Sequence, residues 1–209
     1  MNVRQGVRPL LSCGFRPFFL LTATSACLFM PIWLLVLMAG PGNWQLPGGN
    51  LLWHAHELLF GFAGAAIAGF ALTAIPEFTA TDEINGKPLA VLALLWLLAR
   101  LAYGLAGYWP GIVGLWPAAL LNLGFWLGLL WLLGPRLWRD PGRQHLSFGW
   151  VMAALAVLQA GFFLAPLVKS DPMAWLRAAT GALMILIVVA TSRISMSVVN
   201  GRIEEGRPG

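Results

Sequence analysis

Charge is scarce in this chain of 209 residues: 10% are Asp, Glu, Lys or Arg, while 59% are hydrophobic. A water-soluble domain has no means of hiding that much apolar surface, so a soluble fold is excluded. Cysteine is nearly absent. Cys13 and Cys27 are the only two. A helical chain between them sets them about 21 Å apart, beyond the reach of a disulfide within the chain. Neither belongs to a CxxC pair, and both read as inert. Three histidines, His54, His56 and His145, are too few for a closed multi-metal centre in one chain. The six internal methionines form no MxxM-type cluster that would favour Cu(I). There is no phosphate-cradling glycine loop, no Ser-His-Asp order and no paired-carboxylate motif. No basic patch interleaved with aromatics marks a nucleic-acid surface, so the net charge of +5 belongs to membrane topology.

What is present is apolar and long. The mean hydropathy is +0.77, and the apolar runs suit spanning helices rather than alternating barrel strands. Six such helices are expected, in one domain covering residues 1–209. Their spans are about 18–39, 53–76, 88–107, 112–133, 147–168 and 173–197. The first run is too long for a signal-peptide core and lacks a cleavage site. Pro17 suits a first helical turn, where its missing N–H is not needed. Residues 77–88 form a polar loop with the turn signal Asn85-Gly86. Tyr108-Trp109-Pro110-Gly111 is a tight connection, and the tail from Asn200 reads as polar and frayed.

Six spans put both termini on one side. That side holds ten basic residues (Arg4, Arg8, Arg16, Lys87, Arg136, Arg139, Arg143, Arg193, Arg202 and Arg207) against Lys169 and Arg177 on the other. The positive-inside rule makes the termini cytoplasmic. The expected class is therefore an all-α polytopic membrane protein with six transmembrane helices. Trp44, Trp53, Trp109 and Trp175 then mark the outer interface, and Trp138 and Trp150 the inner one.

The chain is organised around residues 53–78, WHAHELLFGFAGAAIAGFALTAIPEF. His54, His56 and Glu57 open an apolar helix just inside one membrane face. Polar groups placed there are costly and usually mark a site. On a regular helix His54, Glu57, Gly61, Ala65 and Ala68 share one side, and His56 falls roughly opposite. His54 then overlooks a groove of small residues able to accept a flat cofactor. The alternative is packing: Gly61-xxx-Ala65-xxx-Gly69 lets helices approach closely.

Arg100 lies in the third helix at a depth near that of Glu57. Either it pairs with Glu57 as structural glue, or it meets a cofactor carboxylate such as a haem propionate. Arg16, Glu77 and Arg193 lie at inner helix ends, where they form either an ion network between helices one, two and six or a proton or anion site. His145, in a loop beside arginines, reads as a solvated histidine.

Gly14-Phe15-Arg16-Pro17-Phe18-Phe19-Leu20, then Trp53-His54-Ala55-His56-Glu57-Leu58-Leu59-Phe60-Gly61-Phe62, then Ile67-Ala68-Gly69-Phe70, together with Leu95-Trp96-Leu97-Leu98-Ala99-Arg100-Leu101, resemble the NnrS family. The combination of FRPFF and WHAHE is specific. The likeness is close over residues 14–105, looser beyond, and answers to the N-terminal half of the family pattern. It implies a protein of the bacterial inner membrane that contains haem, taken as haem b, and copper. It also implies a link to denitrification and protection against nitric oxide, with a small diatomic ligand bound or turned over, or electrons passed. His54 and His56 match motif positions and inherit the metal-ligand role, and Arg16, Glu57 and Arg100 match as supporting polar residues; with the helix phase added, Gly61 and Ala65 would meet the ring and Arg100 a propionate. Against the pattern, the chain either pairs with a second copy or another membrane subunit, or has lost part of the metal chemistry. A different class also fits the residues: a non-catalytic subunit or assembly partner in which helix two is a packing helix. A small transporter lacks the broken-helix pairs such folds use.

Overall fold

The computed structural model describes residues 9–109 and 114–206. The basic lead with Arg4 and Arg8, Pro110-Gly111, the expected start of helix four at 112 and Arg207 lie outside the described residues. Six helices are long and apolar enough to cross a membrane, and no strand occurs among the described residues. They are α1 (Phe15–Ala39), α2 (Asn50–Phe78), α3 (Lys87–Ala106), α4 (Trp116–Arg139), α5 (Leu146–Leu164) and α6 (Pro172–Glu205).

The helix ends follow local chemistry. Pro88 and Pro117 open α3 and α4, where the missing N–H has no intrahelical partner to lose. Pro76 does not stop α2, which runs on to Phe78. A proline removes only its own N–H, and the Thr79 N–H still donates to the Ile75 carbonyl at 3.0 Å. The tail expected to fray stays helical to Glu205, because no proline interrupts it before Pro208.

Helix α2 is the axis of the bundle. Of its spanning window 61% is buried, against 6% for α1 and 17% for α6. Around it α3, α4, α5 and α6 pack in sequence order, and α1 lies mainly along α2. Close approach of α1 and α2 depends on glycine. A Cβ on Gly69 would stand 2.8 Å from the Phe19 ring and 3.1 Å from Phe18 Cβ, and one on Gly14 would overlap Leu72. Ala65 and Ala68 are fully buried. The small residues of α2 therefore serve helix packing, and the open groove expected along Gly61 and Ala65 is filled by protein.

The loops tie the two ends. The Trp44 indole donates to the Gly104 carbonyl at 2.8 Å and Gln45 N–H to Gly107 O at 2.9 Å, so the α1–α2 loop lies over the end of α3. At the opposite end Gly86 N–H donates to Leu11 O at 2.8 Å. Trp53, expected at the membrane interface, is instead only 3% exposed, edge-on to Trp44 and Phe29. The folded-over loop covers it.

Gly69→Leu is expected to lower stability in detergent by about 1–3 kcal/mol through overpacking, read as a fall in melting temperature. Gly181→Leu, where no atom lies within 4 Å of a new Cβ, is expected to leave it unchanged.

Candidate functional site

The histidine motif does not sit on a regular helix. Residues Glu57–Ala63 wind as a π-helix between two α-helical stretches of α2. The burial pattern says why. His56/Glu57, Phe60/Gly61 and Gly64/Ala65 are buried pairs recurring every four residues. Only winding slacker than 3.6 residues per turn keeps them pointing one way. Below Ala65 the buried pairs return to helical spacing at Ile67/Ala68, Ala71/Leu72 and Ala74/Ile75. Such π segments are frequent at functional sites.

This winding corrects the expectation that His56 faces away from Glu57. His56 is fully buried, and its Nδ1 lies 3.0 Å from Glu57 Oε1. Its Nε2 is 2.9 Å from the amide nitrogen of Gln159 on α5. With Nδ1–H donating to the carboxylate, Nε2 accepts from the amide, and a neutral ring uses both nitrogens. Phe60, Phe162, Phe163 and Tyr103 enclose the ring at centroid distances of 4.9–5.3 Å.

Glu57 also meets Arg100. Arg100 Nε lies 3.3 Å from Glu57 Oε2, the ion pair expected from their common depth. Arg100 Nη2 donates to the Asn122 carbonyl on α4, whose own amide caps Ala118 O at 2.8 Å. The guanidinium lies 5.5 Å from the Trp96 ring centroid, and the Trp96 indole donates to Gly61 O at 3.0 Å within the π segment. So α2, α3, α4 and α5 meet in one buried polar cluster. A Cβ on Gly61 would stand 2.8 Å from Glu57 Oε2 and 2.9 Å from Arg100 Nη1. Glycine here makes room for the pair rather than for a flat ligand.

Asn122, Gln159 and Tyr103 are cluster members that sequence reasoning did not single out. Their signal was faint: a lone amide in each of two apolar helices, and a tyrosine one turn after Arg100. Arg100 Nη1, the Tyr103 hydroxyl and Gln159 Oε1 have no hydrogen-bond partner among the described residues.

His54 is placed differently. It is partly exposed, and its ring stacks on Trp33 of α1 at 4.3 Å with an interplanar angle of 8°. Its Nδ1 is buried and unpartnered among the described residues. The ring is flat and pinned, but this unpartnered nitrogen is enclosed by the fold, so an axial contact to haem through it would need the surrounding side chains to part. His56 does not fit, since both its nitrogens are engaged. Among the described residues no three His, Cys, Asp or Glu side chains group to hold a metal.

The expected network of Arg16, Glu77 and Arg193 does not form. Arg16 donates to Pro9 O at 2.9 Å and Arg193 to Gln144 O at 2.7 Å, while Glu77 is exposed. Backbone carbonyls at the chain turns satisfy these arginines. His145 is not simply solvated either: it stacks on Phe78 at 5.1 Å, and burial pulls its pKa below the ordinary value although Asp140 opposes this.

An all-helical, multi-pass membrane protein built around a buried His–Glu–Arg cluster is the class these observations define. Within that class, the family model described as NnrS protein matches residues 9–208. The chain belongs to the NnrS family, which relates it to the nitric oxide response. No curated protein and no solved structure matches it.

Breaking the Glu57–Arg100 pair from one side strands a charge in a low-dielectric core. Arg100→Met is expected to cost about 3–5 kcal/mol of stability, and Glu57→Leu/Arg100→Met together to recover much of that loss. Thermal unfolding in detergent checks it; a double variant as damaged as the single one would contradict the pairing.

Proposed function

We propose that this chain is a haem-binding protein of the bacterial inner membrane, acting in the nitric oxide response, with His54 as the axial ligand. The observation that carries the reading is the contrast between two histidines in one motif. His56 is consumed by the fold, through Glu57 and Gln159. His54 keeps a nitrogen, enclosed by the fold, that has no hydrogen-bond partner among the described residues. Family membership supplies the nitric oxide link.

Each residue has a definable duty in this reading. Trp33 fixes the plane of the His54 ring, as supporting groups around metal-bound histidines commonly do. Glu57, held by Arg100 and His56, anchors the helix that carries His54. Arg100 Nη1 has no hydrogen-bond partner among the described residues, and with Glu57 already matching the charge it suits a neutral acceptor. When bound, haem supplies an iron able to hold a diatomic molecule such as nitric oxide. For copper, the described residues offer no group of three donors, and the reading carries haem alone. The charge bias of the loops supports cytoplasmic termini and places the His54 end of α2 towards the outer face.

A second reading has one observation behind it. The spanning window of α1 is only 6% buried, which leaves a long apolar face for a second copy or a larger membrane complex, as a non-catalytic subunit would need.

An optical spectrum of the purified protein separates the two. The expected result is a Soret band that His54→Ala removes and Trp33→Ala shifts or weakens. A colourless wild-type protein that copurifies with a larger complex, or a band indifferent to His54→Ala, would overturn the haem reading.

A further inference from the structure

A groove of about 420 Å³ opens sideways between α1 and α3, inside the range of about 300–1,000 Å³ that small-molecule sites occupy. Phe29, Trp44, Trp53, Trp96 and Tyr108 line it, with Arg100 in its wall. Its rim is apolar and faces outward: Leu28, Leu101 and Leu105 are 53%, 52% and 44% exposed. In a bilayer that mouth meets hydrocarbon, so an occupant enters from the membrane. Neither His54 nor His56 contributes to the wall.

The polar group of this wall is incompletely used. Arg100 is 8% exposed, its charge is matched by Glu57 and its Nη2 by Asn122. Its Nη1 has no hydrogen-bond partner among the described residues. A Cβ on Gly61 would stand 2.9 Å from that Nη1 and 3.2 Å from the Phe29 ring, so Phe29, itself part of the groove, flanks the same point of α2 as the unpartnered Nη1.

We propose that this groove binds a membrane quinone, with Arg100 Nη1–H donating to a ring carbonyl once Phe29 swings aside and the tryptophans flanking the ring. Three observations select this chemistry. The aromatic lining suits a flat ring. Glu57 already neutralises Arg100, so a neutral acceptor gives the unpartnered Nη1 a hydrogen bond, whereas an anion would add an unmatched charge at low dielectric. Arg100 lies six residues before the end of α3 at Ala106, about 9 Å down the helix, deeper than the ester carbonyls of a phospholipid at the surface. The proposal is one of binding and is independent of haem.

Gly104 provides the test. It lines the groove, and no atom lies within 4 Å of a Cβ built there, so the side chain of Gly104→Phe starts in open space and extends into the groove. The experiment is equilibrium binding of a radiolabelled short-chain isoprenoid benzoquinone to the full chain in zwitterionic nanodiscs, with empty discs subtracted. Expected is one saturable site per chain, weakened at least tenfold in Gly104→Phe at unchanged melting temperature. Should Gly104→Phe unfold, Leu105→Trp at the rim is expected to give the same weakening. No saturable binding above empty discs would overturn the proposal. So would equal affinity in a folded groove-filled variant, or displacement by oleate at concentrations below those of the quinone itself.

Discussion

A carboxylate and a guanidinium 3.3 Å apart in the interior of an apolar bundle constrain everything near them. Neither charge tolerates hydrocarbon alone, so the helices that carry them must meet at one depth. Glu57 fixes α2 against α3 through Arg100, against α4 through Asn122, and against α5 through His56 and Gln159. The slack winding of residues 57–63 follows from the same demand. A tight helix would turn His56 away from the side on which Glu57 finds Arg100. The backbone departs from the α-helix just where three other helices converge on it.

That constraint also divides the labour within the motif. Two histidines two residues apart look interchangeable in a string of letters. In the folded chain one is a structural bridge walled in by aromatics, and the other is a pinned ring beside α1 with a nitrogen to spare. The proposed haem contact therefore rests on the residue that the fold does not need. The groove between α1 and α3 extends the same logic to Arg100, whose Nη2 is held by Asn122 while its Nη1 has no hydrogen-bond partner among the described residues.

Much of the architecture was legible because the bilayer enforces it. Six apolar runs gave six helices, and the common depth of Glu57 and Arg100 gave their pairing. The direction of His56 was not legible, because a 3.6-residue period was assumed where the chain uses a slacker one. The small-residue stripe suited a cofactor or a helix equally well by composition; only Phe18, Phe19 and Arg100 closing on it decide for packing. Gln159, Asn122 and Tyr103 were hidden because a single polar residue in an apolar helix has meaning only once its partner is known. The Arg16–Glu77–Arg193 network failed because backbone carbonyls at the chain turns reach the arginines first.

The central claim is that the two histidines of one motif hold different offices. A structure of the purified protein after reconstitution with haem tests it most directly. The account predicts iron bonded to a His54 nitrogen, with His56 still bridging Glu57 and Gln159. Iron on His56 Nε2, with Gln159 displaced and His54 lying idle on Trp33, would contradict it.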